Sequence, residues 1–133
     1  MTRVNVIPVS ELSDRHLIAE YHELPRVLKQ NINICGAPNC YVLGAGHVRW
    51  ACKYWKYTYN RFIELCNEMR YRGFNVNFDA ETLKNYTTRF CDRSGEYTVT
   101  SDDIAANRTR IREKYNQNPG IYKWTRRQKP TWL

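Results

Sequence analysis

Along the first third of the chain Leu17, Tyr21, Leu24 and Leu28 recur at steps of four, three and four, the repeat of a helix with one apolar face. The spacing predicts a helix over residues 14–29. Ser10 and Ser13 are candidate caps, and Asp14 suits the positive end of the helix. His16, Glu20, Glu23 and Arg26 fall on another face, with His22 beside Arg26. Pro25 lacks an N–H and opposes the carbonyl of Tyr21, so a kink is expected there.

Trp55, Tyr59, Phe62, Cys66 and Met69 repeat the same stepping and predict a second helix over 53–72, with Gly73 as its stop. Lys56, Arg61, Glu64 and Glu68 lie opposite that stripe and read as a solvated surface. A third helix is expected over 101–117. Ser101, Asp102 and Asp103 open it, Ile104, Ile111 and Tyr115 mark its inner face, and Asn118-Pro119-Gly120 closes it. Residues 1–9 read as an extended arm ending at Pro8. Residues 30–47 and 74–100 read as loops, with a turn at 92–95. The pattern predicts an all-α fold, with residues 1–133 as one compact domain of three helices, long loops and an extended N-terminal arm.

Charge adds a direction to this frame. The 133 residues carry a formal net charge of +8, and aromatics make up 14% of the chain. From Asp103 to Leu133 there are eight Lys and Arg against two acids. The tail 121–133 interleaves Tyr122, Trp124 and Trp132 with Lys123, Arg126, Arg127 and Lys129. Cations interleaved with rings suit a surface that tracks phosphates and stacks on bases. The bland reading is a tail whose rings pack back on the helices while its charges face water, and the two are compatible.

Other chemistries find less support. No run approaches the roughly 18 apolar residues of a membrane span, and no secretory leader is evident. Five cysteines, Cys35, Cys40, Cys52, Cys66 and Cys91, are an odd number and read as reduced thiols. Cys35, Cys40 and His47 invite a zinc reading, but a fourth ligand at matching spacing is missing, so no metal is expected. Gly44 and Gly46 match only part of a dinucleotide fingerprint, and no bound cofactor is expected.

Several stretches carry a resemblance. Met1-Thr2-Arg3, Ser10-Glu11-Leu12, His16-Leu17, Ala19-Glu20-Tyr21, Glu23-Leu24-Pro25-Arg26-Val27, residues 43–48 (LGAGHV) and residues 72–75 (RGFN) resemble the phage pyrimidine-dimer DNA glycosylase/AP lyases, historically the phage endonuclease V family. The likeness resumes near Arg110, Glu113-Lys114, Pro119 and Tyr122-Lys123. It implies a compact three-helix fold, no metal and a bifunctional enzyme. The implied nucleophile is the α-amine of Thr2 after removal of Met1, and the implied catalytic carboxylate is Glu23. Arg3 and Arg26 match substrate-binding arginines, and Arg110 and Lys114 match backbone-contacting cations. His16 and Tyr122 match positions near the bound DNA, and Lys123 is a further candidate phosphate contact. The implied partner is double-stranded DNA bearing a lesion or abasic site. A monomer in the cytoplasm of a microbial or phage-infected cell is the implied setting.

The chemistry suits these residue types. An α-amine with pKa near 7.7–8.0 is roughly ten per cent free at neutral pH, whereas a lysine is almost wholly protonated. It can attack the anomeric carbon without deep burial. A carboxylate stabilises the oxocarbenium character that develops as the base leaves. The imine then acidifies the adjacent sugar proton, and β-elimination cuts the strand. Taken alone, Glu23 reads as half of a surface pair with Arg26.

His22 departs from the best-known member, which has arginine there, and the segment after Val27 is shorter and less basic. Two other readings follow: a same-fold enzyme acting on another modified base, with His22 as a candidate DNA contact, and a non-catalytic DNA-binding protein.

Overall fold

The computed structural model describes residues 3–30, 32–90 and 94–133, and no β-strand occurs among them. Thr2, Asn31, Cys91 and the start of the 92–95 turn lie outside the described residues. Among the described residues there are five α-helices where three were expected: α1 (Asp14–Lys29), α2 (His47–Lys53), α3 (Trp55–Tyr71), α4 (Ala80–Thr87) and α5 (Ser101–Gln117). The all-α class holds and the count is corrected. The two additions are short, below the roughly 12 residues at which a helix gains stability of its own. α4 buries Leu83 and Thr87 and relies on an Asp79 cap, too few apolar positions to print a period. It interrupts the loop expected over 74–100.

The three longer helices form where the pattern placed them. In α1, Ser13 Oγ accepts the His16 N–H at 3.1 Å, and the helix continues through Pro25 to Lys29. Leu17, Tyr21, Leu24 and Leu28 are all buried. They meet Phe62, Leu65 and Met69 of α3, with Trp50, Leu83, Val4 and Ile7 completing the core. Each such side chain contributes roughly 1.5–3 kcal/mol on burial. α3 ends as the glycine signal required: Gly73 has φ +86, and its N–H and that of Phe74 reach back to Arg70 O and Met69 O. This is a paired closure that a left-handed residue permits. α5 begins with a capping box, Thr100 accepting from Asp103 N and the Asp103 side chain accepting from Thr100 N. Ser101, expected as the opening residue, is the first residue inside.

The solvated face expected for α3 is corrected. Lys56 and Glu64 are exposed, but Arg61 and Glu68 are buried. Arg61 meets Glu20 of α1 through two contacts, Nε to Oε2 at 2.9 Å and NH2 to Oε1 at 3.0 Å, and it also donates to Ile7 O. Burial works against the Arg61 charge, but Glu20 outweighs it and holds the guanidinium protonated. Glu68 receives Arg72, the residue that caps the end of α3, at 2.8 Å and Arg127 from the tail at 2.9 Å. A periodicity argument places polar side chains in water by default. These two face partners that arrive from distant parts of the chain.

The tail is fastened down rather than loose. The Asp14 N–H donates to Lys123 O at 2.8 Å, and Thr125 donates to the Asp14 carboxylate through its N–H at 3.0 Å and its hydroxyl at 2.6 Å. Trp124 and Trp132 donate their indole N–H to Glu11, at 3.0 and 2.9 Å. The rings therefore pack back, and the cations Lys123, Arg126 and Lys129 remain exposed. Burial alone would raise the Asp14 and Glu68 carboxyls, yet the Thr125 hydrogen bonds on Asp14 and the Arg127 and Arg72 contacts on Glu68 hold both below their ordinary values.

Candidate active site

α1 carries the site on the edge opposite its buried stripe. Glu23 is partly buried and lies between two arginines: Arg3 Nε stands 3.7 Å from Oε2, and Arg26 NH1 stands 3.2 Å from Oε1. The N-terminal arm thus crosses α1 at Glu23, bringing together residues that the sequence separates. Thr2, bonded to Arg3 in the chain, lies outside the described residues. Glu20, one turn earlier, accepts from Asn5 N at 3.2 Å and from Asn5 Nδ2 at 2.8 Å.

Beside this edge lies a pocket of about 370 Å³ lined by Arg15, His16, Glu20, Arg110, Lys114 and Tyr122, among others. Four of the candidate contacts thus meet at one place, although they come from α1, α5 and the tail. Docking of the tail through Asp14 is what delivers Tyr122. Its ring stacks on His16, with centroids 4.9 Å apart and planes at 20°. Ser13 Oγ lies 3.0 Å from His16 Nδ1. Because Glu20 is neutralised by Arg61, the cations Arg15, Arg110 and Lys114 give the pocket a positive character. Lys123 is exposed nearby in sequence but does not line it.

A second pocket, of about 570 Å³, opens on another side of α1. His22 and Arg26, both exposed, line its rim with Lys29, and Phe74, Phe78 and Pro25 are among its apolar walls. His22 packs edge-on to Tyr21, with centroids 5.1 Å apart. Apart from Thr2 and Lys123, the candidate residues therefore fall into three groups: Glu23 with its arginines, the pocket at His16, and the pocket at His22.

Sequence reasoning missed the supports of the arm. Asn107 is fully buried and accepts from Val6 N at 2.8 Å and Ile7 N at 3.2 Å while donating to Asn5 Oδ1 at 2.8 Å. It stands four residues before Ile111 on the inner face of α5, and that spacing was the available signal. His47, weighed as a zinc ligand, is committed elsewhere. Its Nε2 accepts from Val4 N at 3.1 Å and its Nδ1 lies 2.8 Å from Val42 O, which fixes the neutral tautomer with the proton on Nδ1. Cys35 and Cys40 are exposed free thiols. Among the described residues, no three His, Cys, Asp or Glu side chains group as metal ligands.

Burial pushes both His16 and His47 below the ordinary imidazole value of 6.5. The unfolded chain then takes up these protons first as pH falls. Stability present above pH 6.5 should decline below it, until the folded-state values are reached. A series of thermal melts from pH 7.5 to 5.5 should show a falling midpoint. His16→Asn and His47→Gln should each flatten that slope, and an unchanged slope in both variants would contradict this account.

The cationic residues, the arginine-flanked carboxylate and the anchored N-terminal arm are features that suit a protein handling nucleic acid. The family model described as pyrimidine dimer DNA glycosylase matches residues 1–82, and the chain belongs to that family. The match covers the arm, α1 through α3 and the start of α4, and so contains Glu23, Arg3 and Arg26. No helix in the described residues is long and apolar enough to cross a membrane.

Proposed function

We propose that this protein is a bifunctional enzyme. It excises a damaged pyrimidine from duplex DNA and then nicks the abasic strand, with the Thr2 α-amine as nucleophile and Glu23 as the carboxylate partner. The observation that carries this reading is the approach of Arg3 to Glu23 at 3.7 Å. It ties the residue next to Thr2 to the carboxylate in a chain of this family.

In this reading Met1 is removed, and the free amine attacks C1′ of the damaged nucleotide. The C1′–N bond breaks as the C1′–N(Thr2) bond forms, and the base departs with its bonding pair and a proton. Glu23 stabilises the positive charge on the sugar. The sugar ring then opens: the C1′–O4′ bond breaks as the Thr2 nitrogen gives up a proton and forms the C1′=N double bond, O4′ leaving as a hydroxyl. The imine acidifies the C2′ proton, and Glu23 assists its removal. The electrons move to eject the 3′ phosphate, leaving a nicked strand. Water then hydrolyses the imine and restores the amine.

The duplex must be opened for this attack, at a cost of a few kcal/mol, which a photodimer's weakened stacking lowers. Arg3, Arg26, Arg110, Lys114 and Lys123 hold the distorted backbone, while His16 and Tyr122 form a stacked wall beside it. Each phosphate contact contributes a salt dependence of about 0.9 to the slope of log K against log salt. Lys114→Ala and Arg110→Ala should therefore each lower that slope by about 0.9 and weaken binding to all sequences alike. Fluorescence anisotropy over a salt series reads both quantities, and an unchanged slope would remove the residue from the interface.

The direct test is borohydride reduction during turnover. A covalent protein–DNA adduct is expected with dimer-containing and abasic duplexes, and peptide mapping should place it on Thr2. Protein retaining Met1 or acetylated at its terminus should give none. Failure of the native protein to form an adduct on either duplex would overturn the lyase reading and favour a non-catalytic DNA-binding protein.

A second reading, the same chemistry on another modified base, is favoured by His22. It places an imidazole, where the best-known member has a guanidinium, at the rim of the pocket that Arg26 shares. A panel of lesion-bearing duplexes distinguishes the two: fastest excision of a base other than the photodimer supports this alternative.

A further inference from the structure

We propose that His47 is a positioning residue for the N-terminal nucleophile, acting through Val4 and not through the substrate. This rests on the lyase reading above. Its basis is how the arm is held. The N–H groups of Val4, Asn5, Val6 and Ile7 each donate to a side chain from a distant part of the chain: His47, Glu20 and, for the last two, Asn107. The carbonyl of Val4 accepts from Tyr41 Oη at 3.0 Å, and that of Ile7 accepts from Arg61. The arm is held by single acceptors rather than by a ladder, so its register follows where those side chains stand.

His47 and Tyr41 together grip both peptide groups of Val4, the backbone anchor nearest the terminus among the described residues and two residues from Thr2. Their own placement is rigid. His47 is 3% exposed, is oriented by Val42 O, and stacks on the fully buried Trp50 at 20°. Tyr41 packs edge-on to both His47 and Trp50. Downstream, Asn5 is held independently by Glu20 and Asn107. Loss of the His47 acceptor therefore leaves the fold anchored from Asn5 onward, with Val4 held only through its carbonyl by Tyr41 and Arg3 only by its ion pair with Glu23. A reacting atom displaced by about 1 Å can lose on the order of 100-fold in rate. Of the proposed DNA-binding cations only Arg3 lies on the arm beside this contact; Arg26, Arg110, Lys114 and Lys123 lie on α1, α5 and the tail, and their positions do not depend on it.

The test compares His47→Leu, which removes the acceptor, with His47→Gln, whose amide oxygen can take the place of Nε2. Tyr41→Phe removes only the donor to Val4 O, and Leu83→Ala, in α4 away from the arm, serves as a control for lost stability. The readouts are the single-turnover rate of borohydride trapping on abasic duplex and the DNA affinity, each well below the melting temperature.

For His47→Leu we expect trapping slowed about 10-fold or more with affinity within about 2-fold of native, the signature of misplaced rather than missing binding groups. His47→Gln should recover most of the rate, and Tyr41→Phe should slow it by about 3-fold while leaving a folded protein. Leu83→Ala should trap at the native rate. Native trapping rates in both His47→Leu and Tyr41→Phe, or equal slowing in Leu83→Ala, would overturn the positioning role. So would His47→Gln as slow as His47→Leu. A native protein that forms no adduct at all overturns the lyase reading and this proposal together. An adduct-forming native protein with an indifferent His47 overturns this proposal alone.

Discussion

Glu23→Gln is expected to abolish strand cleavage while leaving DNA binding intact. The carboxylate is partly buried between Arg3 and Arg26, and an amide of the same shape keeps the local packing. In the proposed reaction, however, the charge stabilises an oxocarbenium-like sugar and the basic oxygen removes the sugar proton. Loss of a general base costs roughly 10²–10⁴-fold in rate, and the electrostatic contribution at the first step adds to that. Stability should barely change, because an i,i+3 pair with an exposed arginine contributes only about 0.2–0.5 kcal/mol. Affinity should hold or rise, since a neutral amide in place of the Glu23 carboxylate no longer repels phosphates and frees Arg3 and Arg26 to meet them. Single-turnover cleavage of a dimer-containing duplex, anisotropy with the same duplex and a thermal melt check the three parts. Cleavage at the native rate would remove Glu23 from its role. Lost binding together with lost cleavage would instead assign it to holding the arm.

Arg61→Met should have the largest effect on stability. The guanidinium is 3% exposed as a side chain and the partner Glu20 carboxylate 1%, so removing one member leaves a buried charge without its counter-ion. Breaking such a pair costs about 3–5 kcal/mol, a large share of the roughly 5–15 kcal/mol that holds a domain together. The cost should be only partly recovered in the double variant Glu20→Leu with Arg61→Met. The charge is then gone, yet Asn5 N, Asn5 Nδ2 and Ile7 O have lost their partners, and buried orphans cost about 1–3 kcal/mol each. Urea unfolding of the two single variants and the double variant closes the cycle. A single-variant loss below about 1 kcal/mol would mean that the pair is replaceable by water and does not anchor the arm.

The two variants also separate the chemistry from the frame that supports it. Glu23→Gln touches the group that faces the substrate in the proposed reaction and leaves the network beneath it whole. Arg61→Met disturbs the network and reaches the reaction only through Asn5 and Ile7. Glu20 and Glu23, one helical turn apart on α1, therefore have opposite assignments despite identical chemistry. The difference is the partner: Glu20 is enclosed by Arg61 and Asn5, whereas the arginines at Glu23 retain access to solvent.

The three longer helices were legible in the sequence because their determinants are local. An apolar residue every three or four positions, a serine or threonine ahead of the first turn and a glycine after the last act within one segment. The stripe Leu17, Tyr21, Leu24 and Leu28 and the Gly73 closure are of this kind. The candidate residues Arg3, Glu23 and Arg26 were also reachable, through the likeness of their surrounding stretches to a family.

Only the tertiary structure decided which polar residues are supports and which are surface. Nothing near Arg61 in the chain announces Glu20, and nothing near Asn107 announces the arm, since these partners meet across 41 and about 100 residues. The same holds for the two short helices, which exist because neighbours cover Leu83 and Trp50. It also holds for the His16–Tyr122 stack, which depends on Asp14 receiving the tail. Local periodicity encodes the elements, because backbone hydrogen bonding and side-chain spacing act over a few residues. The site is assembled from side chains that satisfy one another only once those elements have packed.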